Sequence, residues 1–89
     1  MNKYVIEFLG TLFLMFVILA TNNYLAIGAA LGVAVLLGGA SGAAFNPAVT
    51  IASMYAGKLS RAAVFSDIVA QIAGAITAVE LVKLVGQRR

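Results

Sequence analysis

The chain has 89 residues, 63 % of them apolar and 10 % charged, with a formal net charge of +3 and a mean hydropathy of +1.05. About a quarter of residues are charged in a soluble domain, so this composition excludes one and points to a membrane protein whose outer faces are solvated by lipid. Cysteine and histidine are absent, which removes disulfides, thiolate nucleophiles, the usual zinc ligands and the usual general base, so no enzymatic activity, cofactor or metal site is expected.

The first predicted helix covers about residues 4–21, roughly 27 Å at 1.5 Å per residue, just sufficient for the hydrocarbon core of a bilayer. Lys3 before this apolar run gives it the look of a signal peptide, but Glu7 lies inside it and no small-x-small cleavage site follows, so it is kept as a mature helix. Thr21-Asn22-Asn23 is polar, uncharged and turn-forming, which predicts a short connection between antiparallel helices. A second helix is expected over 24–38. Three glycines in five residues, Gly38, Gly39 and Gly42, then break the helical pattern.

Asn46-Pro47 restarts order, because Asn is a strong N-cap and Pro is favoured at the first helical position. The helix it starts, 47–56, is about 15 Å long and reaches only halfway through a core of about 30 Å. Gly57 is a C-cap candidate and Lys58 suits a headgroup. A third long helix is expected over 62–85. The fold class is therefore all-α: three transmembrane helices and one re-entrant half-helix, in a single unit spanning 1–89. Non-helical backbone at membrane depth is tolerated only where protein buries it or water wets it, so the approach to Asn46 should line a cavity or a packed interface. Gly28 and Gly32, Gly38 and Gly42, and Ala70, Gly74 and Ala78 place small residues four apart, as close helix packing requires.

The stretch from Ser41 to Thr50, centred on Asn46-Pro47-Ala48, resembles the first re-entrant loop of the aquaporin and glycerol-facilitator family. Glu7-Phe8-Leu9-Gly10-Thr11 is similar to that family's opening helix, and Gln71-Ile72-Ala73-Gly74-Ala75 to its third. The family is built from two inverted three-helix units whose half-helices meet N-terminus to N-terminus at the pore centre, and this chain resembles the first unit. The resemblance implies a pore lined by Ala44, Asn46, Pro47, Ala48 and Val49, in which Asn46 donates to the passing solute. It implies that Glu7 holds the loop through backbone donors, with Gln71 doing similar work; Thr11, four residues after Glu7, is expected to share its face. The residues alone leave Glu7 open to a headgroup-level role and Gln71 to a generic interhelical bond. Two departures stand out: Ala44 replaces the family's usual His, and Val49 follows Asn-Pro-Ala where the second unit carries its filter Arg.

With three spans, Lys3, Lys58 and Arg61 lie on one side and Lys83, Arg88 and Arg89 on the other, so the charge bias that sets topology is nearly nil. Two oppositely inserted copies would supply both half-helices. The expected function is a passive channel for water or small neutral solutes such as glycerol, formed by an antiparallel homodimer, with larger oligomers open. The expected site is a cell or cytoplasmic-type membrane, in both orientations. The alternative is a non-conducting or partner-dependent small membrane protein that associates with a full-length channel. A dual-topology multidrug transporter fits less well, because Glu7 is too near the start of its helix for proton coupling. Asp67 and Glu80 are expected at the interfaces, as are Tyr4, Tyr24 and Tyr55. Basic residues at the ends of apolar runs, without interleaved aromatics, give no nucleic-acid surface.

Overall fold

Three asparagines and a serine decide where the helices begin. In a computed structural model, which describes residues 2–39 and 42–87, α1 is Lys3–Thr21, α2 Tyr24–Gly38, α3 Pro47–Tyr55 and α4 Arg61–Gln87, with no strand among the described residues. The side chain of Asn2 accepts from the Tyr4 N–H at 2.7 Å, that of Asn23 from Ala26 at 2.9 Å, and that of Asn46 from Ala48 at 2.7 Å. Ser60 Oγ accepts from the Ala63 N–H at 3.2 Å at the start of α4. Each occupies a backbone donor that the first helical turn leaves open. Asn22 ends α1 in the left-handed region at φ 48, which Asn tolerates better than most residues, and its N–H closes on the Ile18 carbonyl at 3.0 Å. Only Asn22 and Asn23 separate α1 from α2. Ser41 of the Asn-Pro-Ala stretch and the terminal Arg88 and Arg89 lie outside the described residues.

α1 packs against α2 on one side and α4 on another, and α3 packs against α4. α1 and α4 run in the same direction: Lys3 pairs with Asp67 near their starts, and Gly74 meets the backbone of Phe8 and Leu12 further along. A Cβ at Gly74 would collide with the Phe8 carbonyl oxygen, so only glycine allows this approach. α2 returns antiparallel and meets α1 through Ala30, Ala34 and Gly38; a Cβ at Gly38 would stand 2.7 Å from Ile6 Cγ2.

The polarity is the reverse of a soluble fold. The largest fully buried side chains are Gln71, Glu7, Thr50 and Asp67, whereas Leu36, Leu37 and Phe65 are more than 70 % exposed. Lipid, not water, is the solvent that makes this distribution stable. α1, with a mean hydropathy of 2.1, and residues Arg61–Gly86 of α4, with 1.8, are long and apolar enough to cross a bilayer; α2 is equally apolar but has 15 residues.

Two expectations need correction. Gly28 and Gly32 face open space, because α2 meets the bundle through its Ala30–Ala34–Gly38 stripe, so that pair packs on no other helix of this chain. Gly42 is not a packing residue either: it sits at φ +87, a turn conformation that side chains rarely adopt. Asp67, near the start of α4, is fully buried, and Lys3 reaches it at 2.9 Å. Glu80 is exposed, 3.6 Å from Lys83.

These contacts predict that Gly74→Ala destabilises the α1–α4 pair by about 1–3 kcal/mol through overpacking, whereas Gly28→Ala, which meets nothing, leaves the folded unit within about 0.5 kcal/mol of its original stability. Reversible unfolding in mixed micelles, followed by helical circular dichroism, compares the two.

Candidate functional site

Between α2 and α3 the chain must turn back inside the bundle, and its backbone groups there have no helix to pair with. Gly42 at φ +87 begins the reversal and Phe45, at φ +61, ends it in a conformation costly for a residue with a Cβ. Two interactions hold Phe45 there. Its N–H donates to Glu7 Oε1 at 2.8 Å, beside the Ala44 N–H at 3.2 and 3.1 Å from the two carboxylate oxygens. Its ring fills the space left by Gly10 and Gly38: a Cβ on Gly10 would collide with it, and one on Gly38 would stand 2.8 Å from Cζ. Glu7 is fully buried and Phe45 nearly so. A carboxylate accepting backbone donors in such a place makes charge-assisted bonds, roughly twice as strong as neutral ones.

A second tether comes from α4. Gln71 Nε2 donates to Thr50 Oγ1 at 2.8 Å, and the Thr50 hydroxyl donates to the Asn46 carbonyl at 3.0 Å. Both side chains are buried. The first turn of α3 is thereby tied to α1 through Glu7 and to α4 through Gln71. Its N-terminus lies partway along the bundle, with the later residues of α1 and α4 running on past it.

What this framework presents is Asn46. Its Oδ1 is committed to the Ala48 N–H, so the side-chain orientation is fixed, and its Nδ2 finds no acceptor among the described residues. The Val49 N–H is likewise without a partner there, while Pro47 has none to offer. Asn46, Pro47, Ala48 and Val49 are all exposed. The end of α3 is thus a cluster of hydrogen-bond donors with the positive end of a helix dipole behind it, suited to a neutral acceptor and hostile to a cation. Beside it, between α1 and α4, opens a cavity of about 230 Å³ lined by Thr11, Met15, Asn46, Pro47 and Gln71 among others.

Of the residues singled out in the sequence, Glu7 meets Ala44 through its backbone, and Gln71 meets the Asn46 turn through Thr50. Gly28, Gly32 and Gly74 lie away from the turn. Thr50, Phe45, Gly10 and the Lys3–Asp67 pair are not legible beforehand, although a hydroxyl four residues after an N-cap is a readable cue for a bond back to its carbonyl.

The family described as major intrinsic protein matches the chain over residues 1–89. A glycerol uptake facilitator protein-like 6 from Lactiplantibacillus plantarum is 44 % identical over 93 aligned positions, covering 93 % of this chain and 43 % of that protein. The chain therefore spans less than half the length of this curated relative. No solved structure gives a significant match.

Glu7→Gln halves the acceptor capacity at the turn and removes its charge. Amide hydrogen exchange at Ala44 and Phe45 is expected to accelerate about 10- to 100-fold, the equivalent of roughly 1.5–3 kcal/mol for bonds to a charged group. The Lys3–Asp67 pair gives a second expectation. Lys3→Met, which strands a buried carboxylate, should cost about 3–5 kcal/mol. Asp67→Asn should cost less, since Lys3 is partly exposed and can carry its ammonium outward. Lys3→Met with Asp67→Leu should recover most of the loss in the same micellar unfolding assay.

Proposed function

Because the chain belongs to the major intrinsic protein family, whose members are passive channels rather than enzymes, we propose that it forms half of a transmembrane pore for water and small neutral solutes such as glycerol. It is an integral membrane protein with at least two membrane-spanning helices. In the proposed arrangement α1, α2 and α4 span the bilayer and α3 is the re-entrant half-helix, the whole chain being one half-unit. The second half-helix comes from an inverted copy of the same chain, so that two N-termini face each other at the midplane and Asn46 of each donates to the solute.

The observation that carries this reading is the fixed donor cluster at Asn46, partway along the bundle and tied to α1 by Glu7 and to α4 by Gln71. Such a site orients a solute oxygen without a charged group, and the two helix dipoles oppose protons and cations. The near-equal basic residues on the two sides support insertion in both orientations of a cell or cytoplasmic-type membrane. Val49 in the position after Asn-Pro-Ala leaves the homodimer without a filter Arg, which favours a wider solute range than water alone, and the relative's description as a glycerol uptake facilitator-like protein agrees with a small polyol. A second reading, in which the unit works only beside a longer channel of the family, draws on the 43 % of the relative that the chain spans.

Stopped-flow light scattering on proteoliposomes containing only this chain tests the proposal. Osmotic shrinkage should exceed that of empty vesicles, and Asn46→Asp, which replaces the solute donor by an anion, should slow it about tenfold or more, a barrier change on the order of 1.4 kcal/mol. Folded, inserted protein that shrinks no faster than lipid rejects the homodimeric channel; acquisition of flux on adding a longer family member then selects the second reading.

A further inference from the structure

One buried carboxylate has no share in the bonds that hold the turn or start α3. Asp67 is fully buried in the second turn of α4, and its partner among the described residues is Lys3, whose Nζ stands 2.9 Å from Oδ2. That approach lies outside hydrogen-bond geometry, and Oδ1 has no donor either. Glu7, one turn along from Lys3 on α1, shows the contrast: its two oxygens accept from the Ala44 and Phe45 N–H groups. A buried carboxylate with one cation and no oriented donor is poorly compensated, because the attraction of a single pair does little more than offset the desolvation of both charges.

The cation itself has somewhere else to go. Lys3 is the first residue of α1 and keeps 23 % of its side chain exposed, so its ammonium can extend to the headgroup layer. Turned inward, its Cε and Nζ lie 3.8 Å from where a Cβ on Gly42 would stand, at the residue that begins the reversal toward Phe45 and Asn46. Two arrangements therefore satisfy the charges. In one, Lys3 lies between Asp67 and Gly42. In the other, a proton occupies the vacant Oδ1, the neutral carboxyl needs no cation, and Lys3 extends outward. No other charge takes its place: among the described residues α1 offers Lys3 and Glu7, Lys58 and Arg61 are exposed at the start of α4, and α2 and α3 carry no charged side chain, only the phenols of Tyr24 and Tyr55.

We propose that Lys3 and Asp67 form a proton-operated clasp on the re-entrant turn. A proton arriving from the side of the membrane where α1 and α4 begin forms an O–H bond at Asp67, Lys3 leaves with its charge for the headgroups, and the turn before α3 loosens. A buried ion pair is thereby exchanged for a neutral acid and a solvated cation. The support that Lys3 gives the turn is present while Asp67 is ionised and is lost as pH falls. The consequence for solute flux rests on the channel reading; the clasp itself requires only the single chain.

Amide hydrogen exchange at Ala44 and Phe45 in liposomes tests the clasp, with the native chain and Asp67→Asn compared at the same pH so that the intrinsic pH dependence of exchange cancels. At about pH 8 the variant, which has no anion to hold Lys3, should exchange about tenfold faster; at about pH 4 the two should converge, because Asp67 is then neutral in both. A ratio that does not change with pH overturns the clasp and leaves Asp67 a merely structural group. Lys3→Met with Asp67→Leu gives the same comparison with an apolar pair, and its ratio to the native chain should shrink on acidification in the same way. The chain has three acidic residues, so the proton can also be located directly. An infrared carboxylic-acid band that grows on acidification should be weaker in Asp67→Asn; a band that the substitution leaves unchanged overturns the assignment. In the same vesicles, acidification should slow osmotic shrinkage to the level of Asp67→Asn. Shrinkage that ignores pH while the exchange ratio converges overturns the regulatory role, and vesicles that never conduct while it converges overturn the channel and leave the clasp standing.

Discussion

A carboxylate on the first helix holds a stretch of chain that otherwise has no reason to stay inside a membrane bundle. The turn before α3 brings bare backbone N–H groups into apolar surroundings, where an unpaired donor costs several kcal/mol. Glu7 accepts from two of them in succession, at Ala44 and Phe45. The Phe45 ring then fills the space that Gly10 and Gly38 leave, so backbone bonding and side-chain packing fix the same residue. With Phe45 fixed, Asn46 has one position available, and the cap that starts α3 sets which of its two amide atoms is left to face outward.

Buried polar groups therefore organise this molecule where a soluble one would use apolar contacts. Among the described residues Glu7, Thr50, Asp67 and Gln71 are the largest side chains wholly removed from solvent, and three of the four take part in the bonds that join α1 or α4 to α3 and the turn before it. Asp67 with Lys3 joins the starts of α1 and α4 instead. Lipid outside makes this consistent: apolar surface loses nothing by facing hydrocarbon, so specificity must come from hydrogen bonds and from close backbone contact such as Gly74 against Phe8.

How far the sequence reveals this follows the range of the interactions. Asn23 and Asn46-Pro47 act within three residues of themselves, so the start of α2 and of α3 and the shortness of α3 are readable from the chain alone. α3 is Pro47–Tyr55 and α4 is Arg61–Gln87. The contacts of Glu7 and Gln71 span 37 or 38 and 21 residues, and no local rule supplies them; family resemblance gives their roles, the coordinates their partners. The contact of Asp67 is hidden for the same reason. Nothing local to a lone Asp in the second turn of an apolar helix names its partner, and only the parallel packing of α1 and α4 brings Lys3 to it. Gly28 and Gly32 show the converse, a packing spacing written on a face that this chain leaves bare.

Donors and acceptors are not balanced within the described residues of this unit. Among the described residues Thr11 Oγ1, Gln71 Oε1 and Asp67 Oδ1 are buried without a hydrogen-bond partner, while Val49 N–H and Asn46 Nδ2 stand unpaired at the exposed end of α3. Moving the tip into its own recess is barred, because Glu7 and Gln71 already hold the turn from both sides. The rigidity that presents Asn46 so definitely thus also keeps the tip of α3 from reaching those atoms.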